Sequence, residues 1–145
     1  MFGTNKEKMS NKIVVTATVH AAIGKVWDDY TNPEHIIRWN FADPSWQCPS
    51  ASNDMRVGGK YSARMEAKDG SFGFDFEAVY NEVIEGERFT YTMPNGRQAA
   101  VVFKKDGDQT EVTVTFDPET EHPLEMQKNG WQAILDNFKK YTESN

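Results

Sequence analysis

Gln127 lies four residues before Trp131 and eight before Leu135, on what the spacing marks as the apolar face of a C-terminal helix. A buried amide needs partners, and an internal water or a bound guest would supply them. Trp39, Phe41 and Trp46 precede the strands, which carry Met65, Phe74, Phe76, Tyr91, Phe103 and Phe116. With Gln127, Trp131 and Leu135 these residues form a candidate ligand wall, since small-molecule pockets are mostly apolar with a few orienting polar groups. Close packing is the default for aromatics on a covered sheet face, so a solid core is the competing reading.

Other residue types suggest other chemistry. His35, Cys48 and His122 are metal-ligand and nucleophile types, but they show neither HxxxH nor CxxC spacing. A Cys–His pair would need an orienting third group and an oxyanion hole, and nothing local supplies them. Glu121, His122 and Glu125 cluster at the start of the last helix, where carboxylates favour the helix dipole and where acid–base work at a cavity rim is conceivable. Asp54 and Arg56 read as a charged tie between a long loop and the sheet edge. The reading requires no catalytic residue, cofactor or metal.

The elements that would hold these side chains follow from periodicity. "KIVVTATVHA" (12–21) carries β-branched residues in partial alternation and predicts a first strand. Ile23, Val26, Trp27 and Tyr30 fall at helical spacing, and Asn32-Pro33 starts a second short helix that carries Ile36 and Ile37 inward. Residues 40–53 read as a long loop, a length often tied to function. From Arg56 the period becomes two. Val57, Tyr61, Ala63 and Met65 share a face, then Phe72, Phe74, Phe76, Ala78 and Tyr80, with further strands at 88–93, 97–104 and 110–116. Strands with one apolar face require a cover, which residues 122–141 provide through Leu124, Gln127, Trp131, Leu135 and Phe138, widened by Ile134 and Met126. The expected fold is α+β: a curved, six-stranded antiparallel sheet gripping a long C-terminal helix, with two short helices after the first strand. Gly58 and Gly59 are expected to let the second strand bend, and Gly130 to admit a close neighbour against the helix.

The chain's 145 residues suit one domain, expected over 12–145, behind a flexible leader at 1–11 in which Met9 offers an alternative start. A net charge of −6 with scattered lysines argues against nucleic-acid binding, and 26% charged residues argue against membrane insertion. One cysteine excludes an internal disulfide framework. No apolar signal core precedes the first strand, so the expected location is the cytoplasm.

Three segments, "VWDDYTNPEHIIRW", "NDMRVGGKYS" and "GWQAILDNF", resemble the signature stretches of proteins related to the C-terminal domain of the activator of the 90-kDa heat-shock-protein ATPase. That family lies in the START, or birch-pollen-allergen-like (SRPBCC), superfamily, and the resemblance spans roughly residues 13–142. It implies a helix-grip fold with a hydrophobic cavity between sheet and long helix. The commonest family pattern has a second Trp after the position of Trp39, where this chain has Asn40. The function expected first is binding of a small apolar or amphipathic molecule without covalent chemistry. A co-chaperone module stimulating a chaperone ATPase, and a cyclase- or hydrolase-type enzyme, are the alternatives.

Overall fold

A computed structural model describes residues 12–145, so the expected leader and alternative start lie outside the described residues. The element order is β1 (Ile13–Val19), α1 (Ile23–Thr31), α2 (Pro33–Trp39), β2 (Trp46–Gln47), β3 (Ala51–Asn53), β4 (Lys60–Ala67), β5 (Gly73–Ile84), β6 (Arg88–Thr92), β7 (Gln98–Asp106), β8 (Gln109–Phe116) and α3 (Leu124–Ser144). All strands join one antiparallel sheet in the order β1-β8-β7-β6-β5-β4-β2, with β3 also on β4. The predicted helix-grip architecture is thus present, with eight strands among the described residues rather than six. The two extra strands are short pieces of the expected loop at 40–53 that pair along the free edge of β4, a contact no local periodicity announces.

Local sequence explains the main elements. β1 alternates strictly, with Ile13, Val15, Ala17 and Val19 inside and Val14, Thr16 and Thr18 outside. It pairs with β8 from Ile13↔Phe116 to Val19↔Thr110, which brings the two ends of the sheet-forming chain together. Asn32 ends α1 and caps α2, its Oδ1 accepting from the Glu34 amide at 3.0 Å with Pro33 in the first turn. In β5 the pairing with β6 shifts between Tyr80 and Glu82, a bulge that adds local twist to a twelve-residue strand and helps the sheet curl.

The helix is held on both flanks. Gln132 Nε2 and Lys139 Nζ donate to the Thr16 and Thr18 carbonyls of β1, and Asn137 Nδ2 donates to the Trp39 carbonyl at 2.8 Å. Its buried face begins later than the spacing predicts. Leu124 and Met126 are 55% and 59% exposed, and burial sets in around Trp131 and becomes complete at Leu135 and Phe138. Val57 is likewise exposed in the turn before β4 rather than sharing that strand's inner face.

Gly58 and Gly59 form that turn. Gly58 has φ +83°, and Gly58 N and Gly59 O bond the backbone of Tyr80 at 2.9 and 3.0 Å. At Gly59 a Cβ would stand 2.1 Å from the Asp54 carbonyl oxygen. The glycine pair therefore marks a close backbone approach that seats the start of β4 against β5. Gly130 does not: a Cβ there would meet nothing within 4 Å, so the expected close neighbour is absent among the described residues.

Candidate functional site

Between the inner face of the sheet and α3 the packing leaves a cavity of about 180 Å³. Its wall draws on nearly every element. Tyr30 comes from α1, Trp39 and Asn40 from the end of α2, Tyr61 and Met65 from β4, and Phe74, Phe76 and Tyr80 from β5. Phe89 and Tyr91 come from β6, Val114 from β8, and Trp131, Ile134 and Leu135 from α3. Strand alternation supplies the sheet residues, because every second side chain of β4, β5 and β6 points to the concave side. Helical spacing supplies the last three.

The cavity runs between two different ends. Near its base Tyr30, Tyr80, Phe89 and Tyr91 pack tilted, edge-on or stacked, with Tyr80 and Phe89 perpendicular at 5.6 Å between centroids. Toward the other end Phe74, 43% exposed, is the most exposed residue of the wall. Beside it Phe72, 61% exposed, and Trp46 form a small aromatic cluster at the tip of the β4–β5 hairpin. Phe76 links the two ends, touching Tyr61, Tyr91 and Trp131.

Of the residues expected to line a ligand site, Trp39, Met65, Phe74, Phe76, Tyr91, Trp131 and Leu135 meet around this cavity. Phe41, Trp46, Phe103, Phe116 and Gln127 stand outside its wall. Phe116 is fully buried with its ring stacked on Trp131 at 3.9 Å, so it backs the wall from behind. Phe103 packs against Trp27 and Tyr30 under α1. Phe41 follows α2, its amide donating to the Trp39 carbonyl at 2.8 Å. Gln127 has local employment: its Oε1 accepts from the Glu119 amide at 2.8 Å, and its Nε2 donates to the carbonyls of Glu119 and His122. It fastens the entry to α3, and the partner its amide required is backbone rather than guest or water.

Sequence reasoning missed the polar part of the wall. Asn40, Asn53, Tyr61, Tyr80 and Tyr30 all line it. Tyr30, Tyr61 and Tyr80 stood at inward positions of their elements and were readable as wall; Asn40 and Asn53 sit at element ends, where periodicity says nothing about facing. Tyr80 Oη donates to Asn53 Oδ1 at 2.6 Å, and Asn53 Nδ2 donates to the Thr31 carbonyl at 2.8 Å. Asn40 Nδ2 reaches Met65 Sδ at 3.3 Å and Tyr61 Oη at 3.4 Å.

The other candidate groups fall elsewhere. His35 lies at the junction of the three helices, with Nδ1 bonded to Tyr141 Oη at 2.6 Å and Nε2 3.5 Å from carboxylate oxygens of Asp28 and Asp29. Asp29 is buried and paired through its other oxygen with Lys25 at 3.2 Å. His122 bonds the Glu119 carboxylate at 3.0 Å in the exposed stretch before α3. Glu121, His122 and Glu125 are exposed and none reaches the cavity wall. Cys48 is buried beside Ala63 and Met65, and burial pushes its thiol up, away from the reactive thiolate. Asp54 and Arg56 pair at 2.9 Å on the surface of the turn before β4.

Comparison with known proteins agrees with this fold. Comparison with curated proteins gives no match. Among solved structures, the AHSA1-like protein from Aeromonas hydrophila is 41% identical, with 92% of each chain covered and a TM-score of 0.86. A protein from Cytophaga hutchinsonii is 48% identical over 93% of this chain and 94% of its own, with a TM-score of 0.80. A protein from Chromobacterium violaceum shares the fold at 21% identity, covering 94% of this chain and 100% of its own, with a TM-score of 0.82. The family profile described as Activator of Hsp90 ATPase homolog 1-like protein matches residues 20–143, from the end of β1 through α3, and the chain belongs to that family.

Proposed function

We propose that the protein binds a small apolar or amphipathic molecule in the cavity between sheet and helix, without changing it covalently. The observation that carries this reading is the cavity itself. A domain of this size normally fills its centre to crystal-like density, yet here about 180 Å³ stays open among aromatic rings, with the part-exposed Phe74 in its wall. An apolar void of that kind forgoes packing energy in the unliganded protein, and a guest recovers it. Thermal-shift and native mass-spectrometric screens with lipids, flavonoids and single-ring aromatics test it. A bound adduct and a raised Tm for one class support the reading; no response across all three removes it.

The family's name favours a second reading, stimulation of a chaperone ATPase. It predicts a faster ATPase rate when the pure protein is added to the chaperone of the same cell, and an unchanged rate ends it.

A further inference from the structure

Four tyrosines, Tyr30, Tyr61, Tyr80 and Tyr91, face the same cavity from four different elements. Their hydroxyls are close enough that ionising one would make the next harder to ionise. Two are engaged. Tyr80 Oη gives its proton to Asn53 Oδ1, and Tyr61 Oη accepts from Asn40 Nδ2. Tyr30 and Tyr91 have no hydrogen-bond partner among the described residues, although Tyr91 is only 7% exposed. Neither hydroxyl is sealed in packing: the sealed, unpartnered side-chain atoms among the described residues are Arg97 Nε and Thr142 Oγ1. Both side chains line the cavity, which leaves their O–H groups available as donors to a guest. A buried donor without an acceptor is costly, so an acceptor brought by a guest gains more there than in water.

Charge narrows the guest further. No Lys, Arg, His, Asp or Glu stands in the wall among the described residues, and burial raises the tyrosines above their ordinary range, so the wall is neutral at physiological pH. A cation would lose its water there with no counter-charge in return, and an anion would meet only Arg97, which acts on Tyr91 from outside the wall. Size narrows it again. The volume is little above the ~150 Å³ of an apolar cavity that holds one benzene molecule, which leaves room for one ring and a small substituent.

We propose that the ligand is a neutral, single-ring molecule bearing one hydrogen-bond-accepting oxygen, which enters past Phe74 and docks oxygen-first on the hydroxyls of Tyr91 and Tyr30. Phe76 and Trp131 flank the ring, and the polar end meets donors that nothing else in the protein uses. The proposal rests on the cavity-binding reading and sharpens it.

NMR titration of the full chain with four probes tests it: acetophenone, its apolar counterpart ethylbenzene, benzoate and flavone. Acetophenone is expected to shift cavity resonances and to bind about 3- to 10-fold more tightly than ethylbenzene, the worth of one hydrogen bond, with benzoate and flavone leaving them unmoved. In Tyr91→Phe the acetophenone advantage is expected to shrink, and in the Tyr30→Phe/Tyr91→Phe pair to vanish, while ethylbenzene binds as before. Equal binding of acetophenone and ethylbenzene to the unaltered protein overturns the polar docking and leaves the cavity reading standing. Binding of flavone or benzoate in preference to both overturns the size or charge restriction, again with cavity binding intact. No shift with any probe overturns the proposal; only if the broader lipid screen also fails does the binding reading fall with it. The comparison among probes needs no variant, so a misfolded substitution does not blunt it.

Discussion

Two glycines that look alike in the sequence meet opposite surroundings. At Gly59 a methyl group would collide with the Asp54 carbonyl, at 2.1 Å, and with that of Arg56, at 2.9 Å, both backbone atoms that cannot yield without opening the turn that pairs Gly59 with Tyr80. At Gly130, inside α3, the same methyl enters open space. Gly59→Ala is therefore expected to cost about 2 kcal/mol or more, whereas Gly130→Ala is expected to add up to about 1 kcal/mol by removing a poor helix former. Urea unfolding of the two variants checks both signs. The position of Gly58-Gly59 before an alternating run suggested a bend, but Gly130 carried no signal that separates a packed helical glycine from an idle one. The same limit applied to Gln127, where spacing located the amide without showing that Glu119 and His122 stand within its reach.

At the scale of elements, α3 is fastened to β1 through ionised groups. Burial raises the Glu143 carboxyl, but bonds from Lys139 and the His20 amide outweigh it together and hold it below the usual range. Asp117 behaves likewise, burial opposed by Lys12 and the Gln98 amide. A carboxyl lowered in the folded state binds fewer protons there than in the unfolded chain, so its contribution is full above the unfolded pKa, about 4 for these groups, and disappears as pH falls through the folded value. Tm is expected to drop below about pH 4.5, and Glu143→Gln is expected to flatten the Glu143 share of that decline. Melting curves between pH 7 and pH 3 for both proteins supply the test; identical slopes would show the α3–β1 link to be energetically idle. Elements were also the best-read level of the sequence. Alternation gave β1, β7 and β8, and Asn32-Pro33 gave the break between α1 and α2, because these signals are local. β2 and β3 escaped because two or three residues carry no period of their own and become strands only by pairing with β4.

For the molecule as a whole, the open centre matters most. Ile134 is half-buried in the cavity wall, on the flank of α3 next to Gly130. A larger ring there fills space that no neighbouring side chain occupies. Ile134→Trp is expected to cost less than the roughly 1–3 kcal/mol of overpacking a solid core, and to abolish the NMR shifts caused by ethylbenzene. A stable, folded variant that still responds would place the binding elsewhere. No helix among the described residues is long and apolar enough to cross a membrane, and the exposed aromatics Phe72 and Phe74 gather with Trp46 beside the β4–β5 hairpin rather than along a helix.

By itself the sequence determined the class of fold and the family, because periods of two and 3.6 and three motif segments are properties of neighbours along the chain. It also determined that aromatic side chains would face one another across the sheet and helix. Only the tertiary structure decided whether those rings close up or leave a space, which of them stand at its edge, and which hydroxyls are left without partners. Those outcomes depend on differences of an ångström between groups far apart in sequence, such as Tyr30, Tyr91 and Trp131, and no local pattern encodes such distances.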